Sequence, residues 1–175
     1  ILEQRGIITS QQGKGRFLRE IPISQLGEDK QEEMSKNLER YSLYEAYEVR
    51  QVLETKAMDL IVRNATDSDL DEVETAYQTM LLRFAETNTT TGEFELHQLY
   101  AKKTGSVFME QTLNIVLSTI LEMMHTTSHN VMDMHQVEEE KADHRRIIDA
   151  LHKRDSSAAQ QAMYDHIQHT LDILQ

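Results

Sequence analysis

The chain has 175 residues, is 39% hydrophobic and carries a formal net charge of −12, from 18 Lys and Arg against 30 Asp and Glu; a body of this size buries roughly 70% of the surface its unfolded chain exposes, enough for one core. The acidic balance repels a phosphate backbone and excludes most of the chain as a nucleic-acid surface. The absence of cysteine excludes disulfides, thiolate nucleophiles and Cys-type zinc sites, leaving His and carboxylates as metal ligands.

Helix formers dominate, and one Pro and six Gly leave few breaks, so composition predicts a nearly all-α fold. No apolar run approaches the roughly 18 residues of a membrane span, and the start does not resemble a secretory signal. A cytoplasmic protein without membrane contact is expected. The first 20 residues differ from the rest: from Arg5 to Arg19 there are four cations, Arg5, Lys14, Arg16 and Arg19, and no acid.

Residues 7–18 place two short β-prone runs around a Gly-rich turn, a hairpin pattern with Gly13-Lys14-Gly15 at its tip. It reads as a plain surface hairpin or as a cationic tip that approaches a phosphate backbone. Helical periods then begin. A polar segment at 28–39 predicts a short linking helix, and a longer helix is expected over 43–64, where Ala46, Val49, Leu53, Ala57, Leu60 and Ile61 recur at steps of three and four. Arg50 shares that inward face. An inward Arg needs an anion, either Glu54 at i+4 or a bound carboxylate gripped by its planar fork.

Thr66 or Asp67 caps the next helix, which runs to about Glu86. After the Thr-rich loop at 87–92, a helix over 93–103 ends at Gly105; Glu93, His97 and Tyr100 share one of its faces. The helix at 106–128 is apolar nearly all round and is expected to be the central buried one. The last two helices, 131–152 and 155–174, are joined by a turn at 153–155, and short connections make sequential helices antiparallel neighbours. Apart from the Thr loop, Glu138-Glu139-Glu140 is the one biased tract. The expected fold is therefore an all-α antiparallel bundle of about seven helices preceded by a short β-hairpin.

Of the eight histidines, position selects three. The inward stripe of the helix at 131–152 runs Met134, Val137, Lys141, His144, Ile148 and Leu151; that of the last helix runs Ala159, Met163, His166, Thr170 and Leu174. At roughly 1.5 Å per residue, His144 lies about 12 Å from the end of its helix and His166 about 16 Å into its own, so the two share a level. Glu93 and His97, at i and i+4, reach a common point. Three histidines and one carboxylate suit Zn²⁺ or a similar divalent ion with positions left open. The alternative is three separate core histidines with ordinary hydrogen bonds. His125 and His129 form a rival i, i+4 pair at a fraying helix end, and His135, His152 and His169 read as solvated or structural.

Three stretches of this sequence resemble the GntR family of bacterial transcription repressors, in its FadR-like group with an FCD-type effector domain. Leu2-Glu3-Gln4-Arg5-Gly6-Ile7, followed by Gln12-Gly13-Lys14-Gly15-Arg16-Phe17-Leu18, resembles the end of a recognition helix and the wing after it, with Arg16 where Thr is usual. Glu48-Val49-Arg50-Gln51-Val52-Leu53-Glu54 resembles the opening of the first long effector-domain helix. The third stretch is the family's metal pattern, matched at Glu93, His97, His144 and His166 with intervals of 4, 47 and 22 and Glu where the family has Asp. The text around it, Asp143-His144-Arg145-Arg146-Ile147-Ile148-Asp149-Ala150-Leu151, also agrees.

The resemblance implies a division into a wing remnant of a winged-helix head at 1–20, a linker with a short first helix at 21–42, and an effector-binding and dimerisation domain at 43–175. It implies a homodimer and a small organic acid bound beside the ion, with Zn the first choice and Ni or Mn possible. Arg50, Glu54 and Tyr100 are the expected effector contacts, and Gln12, Gly13, Lys14, Gly15 and Arg16 the expected contacts to operator DNA. The relative that binds acyl-CoA without metal lacks the His set. Two other readings of the same residues are a hydrolase whose metal activates water and a direct metal sensor.

Overall fold

The computed structural model describes residues 8–11, 15–18, 28–87, 91–126 and 134–174. It divides into two units, Ile1–Leu38 and Glu39–Gln175. In the first, β1 (Ile8–Gln11) pairs antiparallel with β2 (Gly15–Leu18), Ile8 opposite Leu18 and Gln11 opposite Gly15. Gly15 and Arg16 therefore stand in β2, whereas Gln12, Gly13 and Lys14 lie outside the described residues.

The described residues hold six helices: α1 (Glu28–Asn64), α2 (Asp67–Thr87), α3 (Thr91–Lys103), α4 (Val107–Thr126), α5 (Met134–His152) and α6 (Ser156–Leu174). Sequence reading expects about seven. The difference is at the start, where 28–39 and 43–64 are one helix: no Gly or Pro falls between Glu28 and Asn64, and nothing there stops propagation.

In the second unit several helix ends have a local cause. Thr66 and Asp69 exchange bonds before α2, Asp69 N–H to Thr66 Oγ1 at 3.2 Å and Thr66 N–H to Asp69 Oδ2 at 2.8 Å, which is a capping box. Gly105 stops α3 at φ +69°, a left-handed position that glycine takes without strain. Between α5 and α6 the same region is occupied by Arg154, φ 55°. Its guanidinium donates to Ala65 O and Asp67 Oδ1, both at 2.6 Å, tying this turn to the one between α1 and α2. Asp155 caps α6 by accepting from Ala158 N–H.

The core draws Leu43, Met58 and Ile61 from α1, Val73 and Met80 from α2, Leu113, Leu117 and Ile120 from α4, Ile147, Ile148 and Leu151 from α5, and Met163, Ile167 and Leu171 from α6. α5 packs on α6 and on α2, and α3 packs between α2 and α4. Two sequence expectations fail here. α4 is not buried all round: Val107, Phe108 and Ile115 are 68%, 81% and 69% exposed, while Leu113, Leu117 and Ile120 enter the core with Met109, Val116, Leu121, Met123 and Met124 partly buried beside them. On α1, Val49 is likewise half exposed. A third correction bears on the site: on α5 it is Glu140 that is buried, while Lys141 is half-buried and pairs with Glu138 at 2.7 Å.

Candidate metal centre

Three helices of the second unit bring four donors together. Glu93 and His97 come from one face of α3, His144 from α5 and His166 from α6. One ligand atom from each lies within 4.8 Å of the others, and all four residues are buried. His97 Nε2 and His166 Nε2 are 3.1 Å apart, and Glu93 Oε1 lies 3.6 and 3.9 Å from them. The ring centroids of His144 and His166 are 4.5 Å apart. These are the residues that sequence spacing selected, now in one place.

The His144 ring is the informative one: both of its nitrogens are buried and neither has a hydrogen-bond partner. A buried polar group in that state costs free energy unless something binds it. Burial also drives His144 and His97 well below the usual imidazole range, the charges of His166 and Arg50 acting in the same direction. Both rings are thus neutral at pH 7, the form that ligates a cation. His166 goes the other way: burial opposes its charge, but Glu140, Asp143 and Glu93 outweigh it and raise its pKa. The donor set, three imidazoles and a carboxylate, fits a divalent ion.

Around the cluster sits a second layer. Arg50 of α1 is 1% exposed and flanked by the rings of Tyr47 and Phe94, at 5.2 and 5.3 Å. Its Nε donates to Glu54 Oε1 at 2.7 Å and its Nη2 to Glu93 Oε1 at 3.3 Å. The other oxygen of Glu54 meets His97 Nδ1. Burial raises the Glu54 pKa, against the pull of Arg50. Tyr100 is fully buried, its ring edge-on to His97 at 5.6 Å, with no hydrogen-bond partner at its hydroxyl.

Two residues here escaped sequence reading. Glu140 Oε2 lies 3.4 Å from His166 Nδ1 and 3.8 Å from His144 Nε2, and burial pushes its pKa up to about 8. Asp143 Oδ2 lies 3.7 Å from His166 Nδ1 and accepts from His169 Nδ1 at 2.8 Å, while its other oxygen meets Arg146. The signal for Glu140 was its place four residues before His144, masked by the glutamates at 138 and 139. Of the other histidines, His152 is exposed and His169 half exposed; His129 lies outside the described residues.

A helical bundle that buries three histidines and a carboxylate together offers a site for an ion or small ligand in its interior. Residues 45–169 match the FCD domain family. Over 99% of its length the chain is 24% identical to the HTH-type transcriptional regulator LutR of Bacillus subtilis, of which the match covers 80%. Among solved structures it superposes on a GntR protein of Streptococcus agalactiae with a TM-score of 0.64 and 20% identity, covering 98% of this chain and 77% of that one. McbR/YncC of E. coli gives 0.63 at 13% identity, with 99% and 79% covered. The chain belongs to the FCD domain family. The curated relative it matches is named as a transcriptional regulator, not an enzyme, which favours a regulator over the hydrolase reading. No helix among the described residues is long and apolar enough to cross a membrane.

Proposed function

We propose that this chain is the sensing domain of a cytoplasmic, homodimeric repressor of the FadR-like group, in which a small organic acid and a divalent ion together set the DNA affinity of a winged-helix head. Residues 1–20 are the wing end of that head, with Gln12, Gly13, Lys14, Gly15 and Arg16 at operator DNA. Residues 21–42 are the linker and residues 43–175 the effector and dimerisation domain. The observation that carries this reading is the convergence of four buried donors from three helices, one of them a histidine with neither nitrogen satisfied.

Glu93, His97, His144 and His166 would hold the ion, with Zn²⁺ the best match to nitrogen-rich donors and Ni²⁺ or Mn²⁺ next. A bound dication supplies a Lewis-acidic position for an effector oxygen. Arg50 and the free hydroxyl of Tyr100 wall the same site, and Glu54 acts on it through Arg50, whose Nε it holds. The outward apolar residues Val107, Phe108 and Ile115 on α4 supply the kind of surface that homodimers cover. Elemental analysis of the purified chain, followed by thermal-shift screening of two- to six-carbon hydroxy, keto and dicarboxylic acids, tests the reading. An ion-free protein that no such acid stabilises contradicts it.

A further inference from the structure

We propose that Glu140 is a positioning residue of the metal centre: its carboxylate accepts the Nδ1 proton of His166 and thereby turns the Nε2 of that ring toward the donor cluster. This rests on the metal reading above. Glu140 Oε2 is a buried oxygen with no hydrogen-bond partner, and His166 Nδ1 is a buried nitrogen with none. They face each other at 3.4 Å, which a small rotation of either side chain closes into a bond. The nearest competitor, Asp143 Oδ2, is farther away at 3.7 Å and already accepts from His169. Glu140 Oε2 is therefore the nearer acceptor and the one that no other donor occupies.

The opposite side of the cluster repeats the arrangement. His97 presents Nε2 to Glu93 and His166, and its Nδ1 is held by Glu54. Two ligand imidazoles thus each carry a glutamate behind the nitrogen that faces away from the donors. A carboxylate in that place fixes the tautomer and the ring angle and makes the ligating nitrogen a better donor. For Glu140 the arrangement has a cost, because a carboxylate buried without a full set of partners is destabilising. A residue kept only for packing would not carry that cost.

The cost supplies a test that separates positioning from structure. Glu140→Met keeps the volume and removes the acceptor; Glu140→Gln keeps an acceptor in its amide oxygen. Co²⁺ is titrated into the native 175-residue chain and both variants, following visible absorption and competition with a chelator, and urea unfolding is measured without metal. Glu140→Met is expected to bind Co²⁺ roughly 10- to 100-fold more weakly, with a shifted d–d band, while its metal-free form unfolds at higher urea than native. Glu140→Gln recovers most of the affinity. Unchanged Co²⁺ affinity and spectrum in Glu140→Met overturn the proposal, as does a metal-free variant that fails to fold or unfolds earlier than native. A native chain that takes up no Co²⁺ removes the metal reading itself, and this proposal with it.

Discussion

Arg50 Nη2 reaches Glu93 Oε1 at 3.3 Å, so a cation from α1 holds the one carboxylate among the four donors. The same guanidinium binds Glu54, which in turn binds His97. One arginine therefore supports a ligand directly and another through a single intermediate. It does so while buried between two aromatic faces, where its charge is stabilised by Glu54 and Glu93 against the cost of desolvation.

Removing Arg50 leaves two carboxylates buried without their cation, a loss of about 3–5 kcal/mol by analogy with other broken buried pairs. Arg50→Met is therefore expected to lower the urea-unfolding free energy of the metal-free chain by that order. Arg50→Lys is expected to recover little, since an ammonium cannot span Glu54 and Glu93 as a planar fork does. A loss below about 1 kcal/mol, the range of exposed pairs, would mean that the network contributes no more than a surface ion pair.

The donor cluster predicts one divalent ion per protomer. His144→Ala and His166→Ala should each abolish stoichiometric binding while the helical circular-dichroism spectrum persists, because both rings sit within a core that many other residues maintain. Plasma emission spectrometry on dialysed protein gives the count. Full occupancy in the double variant would place the ion elsewhere.

The site was readable from the sequence because its ligands are fixed by helical arithmetic: the i, i+4 step puts Glu93 beside His97, and the short turn at 153–155 sets His144 level with His166. The same arithmetic placed Arg50 inward, and of the two caps the sequence offers for α2, Thr66 and Asp67, the structure uses Thr66. It failed where a choice between neighbouring faces depends on partners from other helices. Periodicity put Lys141 on the inward stripe, whereas the structure buries its neighbour Glu140 beside His166 and His144, a choice of face that the sequence of α5 alone does not contain. α4 misled for a related reason. Its composition is apolar all round, but composition does not say how many sides of a helix the bundle covers, and here Phe108 and Ile115 remain outside.

Glu140 also gives the metal-free chain a pH signature. Its folded pKa, about 8, lies above the ordinary carboxyl value of 4.5, raised chiefly by burial. A carboxyl group raised on folding contributes stability below its unfolded pKa, and that contribution is lost as pH rises through the folded value. Between about pH 4.5 and 8 the native chain should therefore lose stability relative to Glu140→Gln, which does not titrate there. Urea midpoints at pH 5, 6.5 and 8 in the presence of chelator are expected to diverge steadily in favour of the variant. A constant difference would mean that Glu140 ionises as it does in the unfolded chain.

The effector is expected to be a small carboxylate, on two grounds that can be separated. Four protein donors fill a tetrahedral shell, so room for one or two effector oxygens requires Zn²⁺ expanded to five ligands or an ion such as Ni²⁺ or Mn²⁺ that takes six, and Arg50, though engaged by two glutamates, has donors beyond the two those bonds use. Tyr100 adds a buried hydroxyl without a partner, which favours a ligand with a hydroxyl or keto oxygen beside its carboxylate. Such an acid binds the folded, metal-loaded chain alone, so at a hundred times its Kd it stabilises by about 2.7 kcal/mol, a rise of several degrees in Tm. Chelation of the ion should remove most of that rise. Tyr100→Phe should reduce the response to hydroxy acids more than to simple dicarboxylates while leaving metal content unchanged, since the lost group is the hydroxyl and not a ligand. If neutral or long-chain acyl compounds stabilise the chain and short acids do not, the carboxylate assignment fails, even with the ion in place.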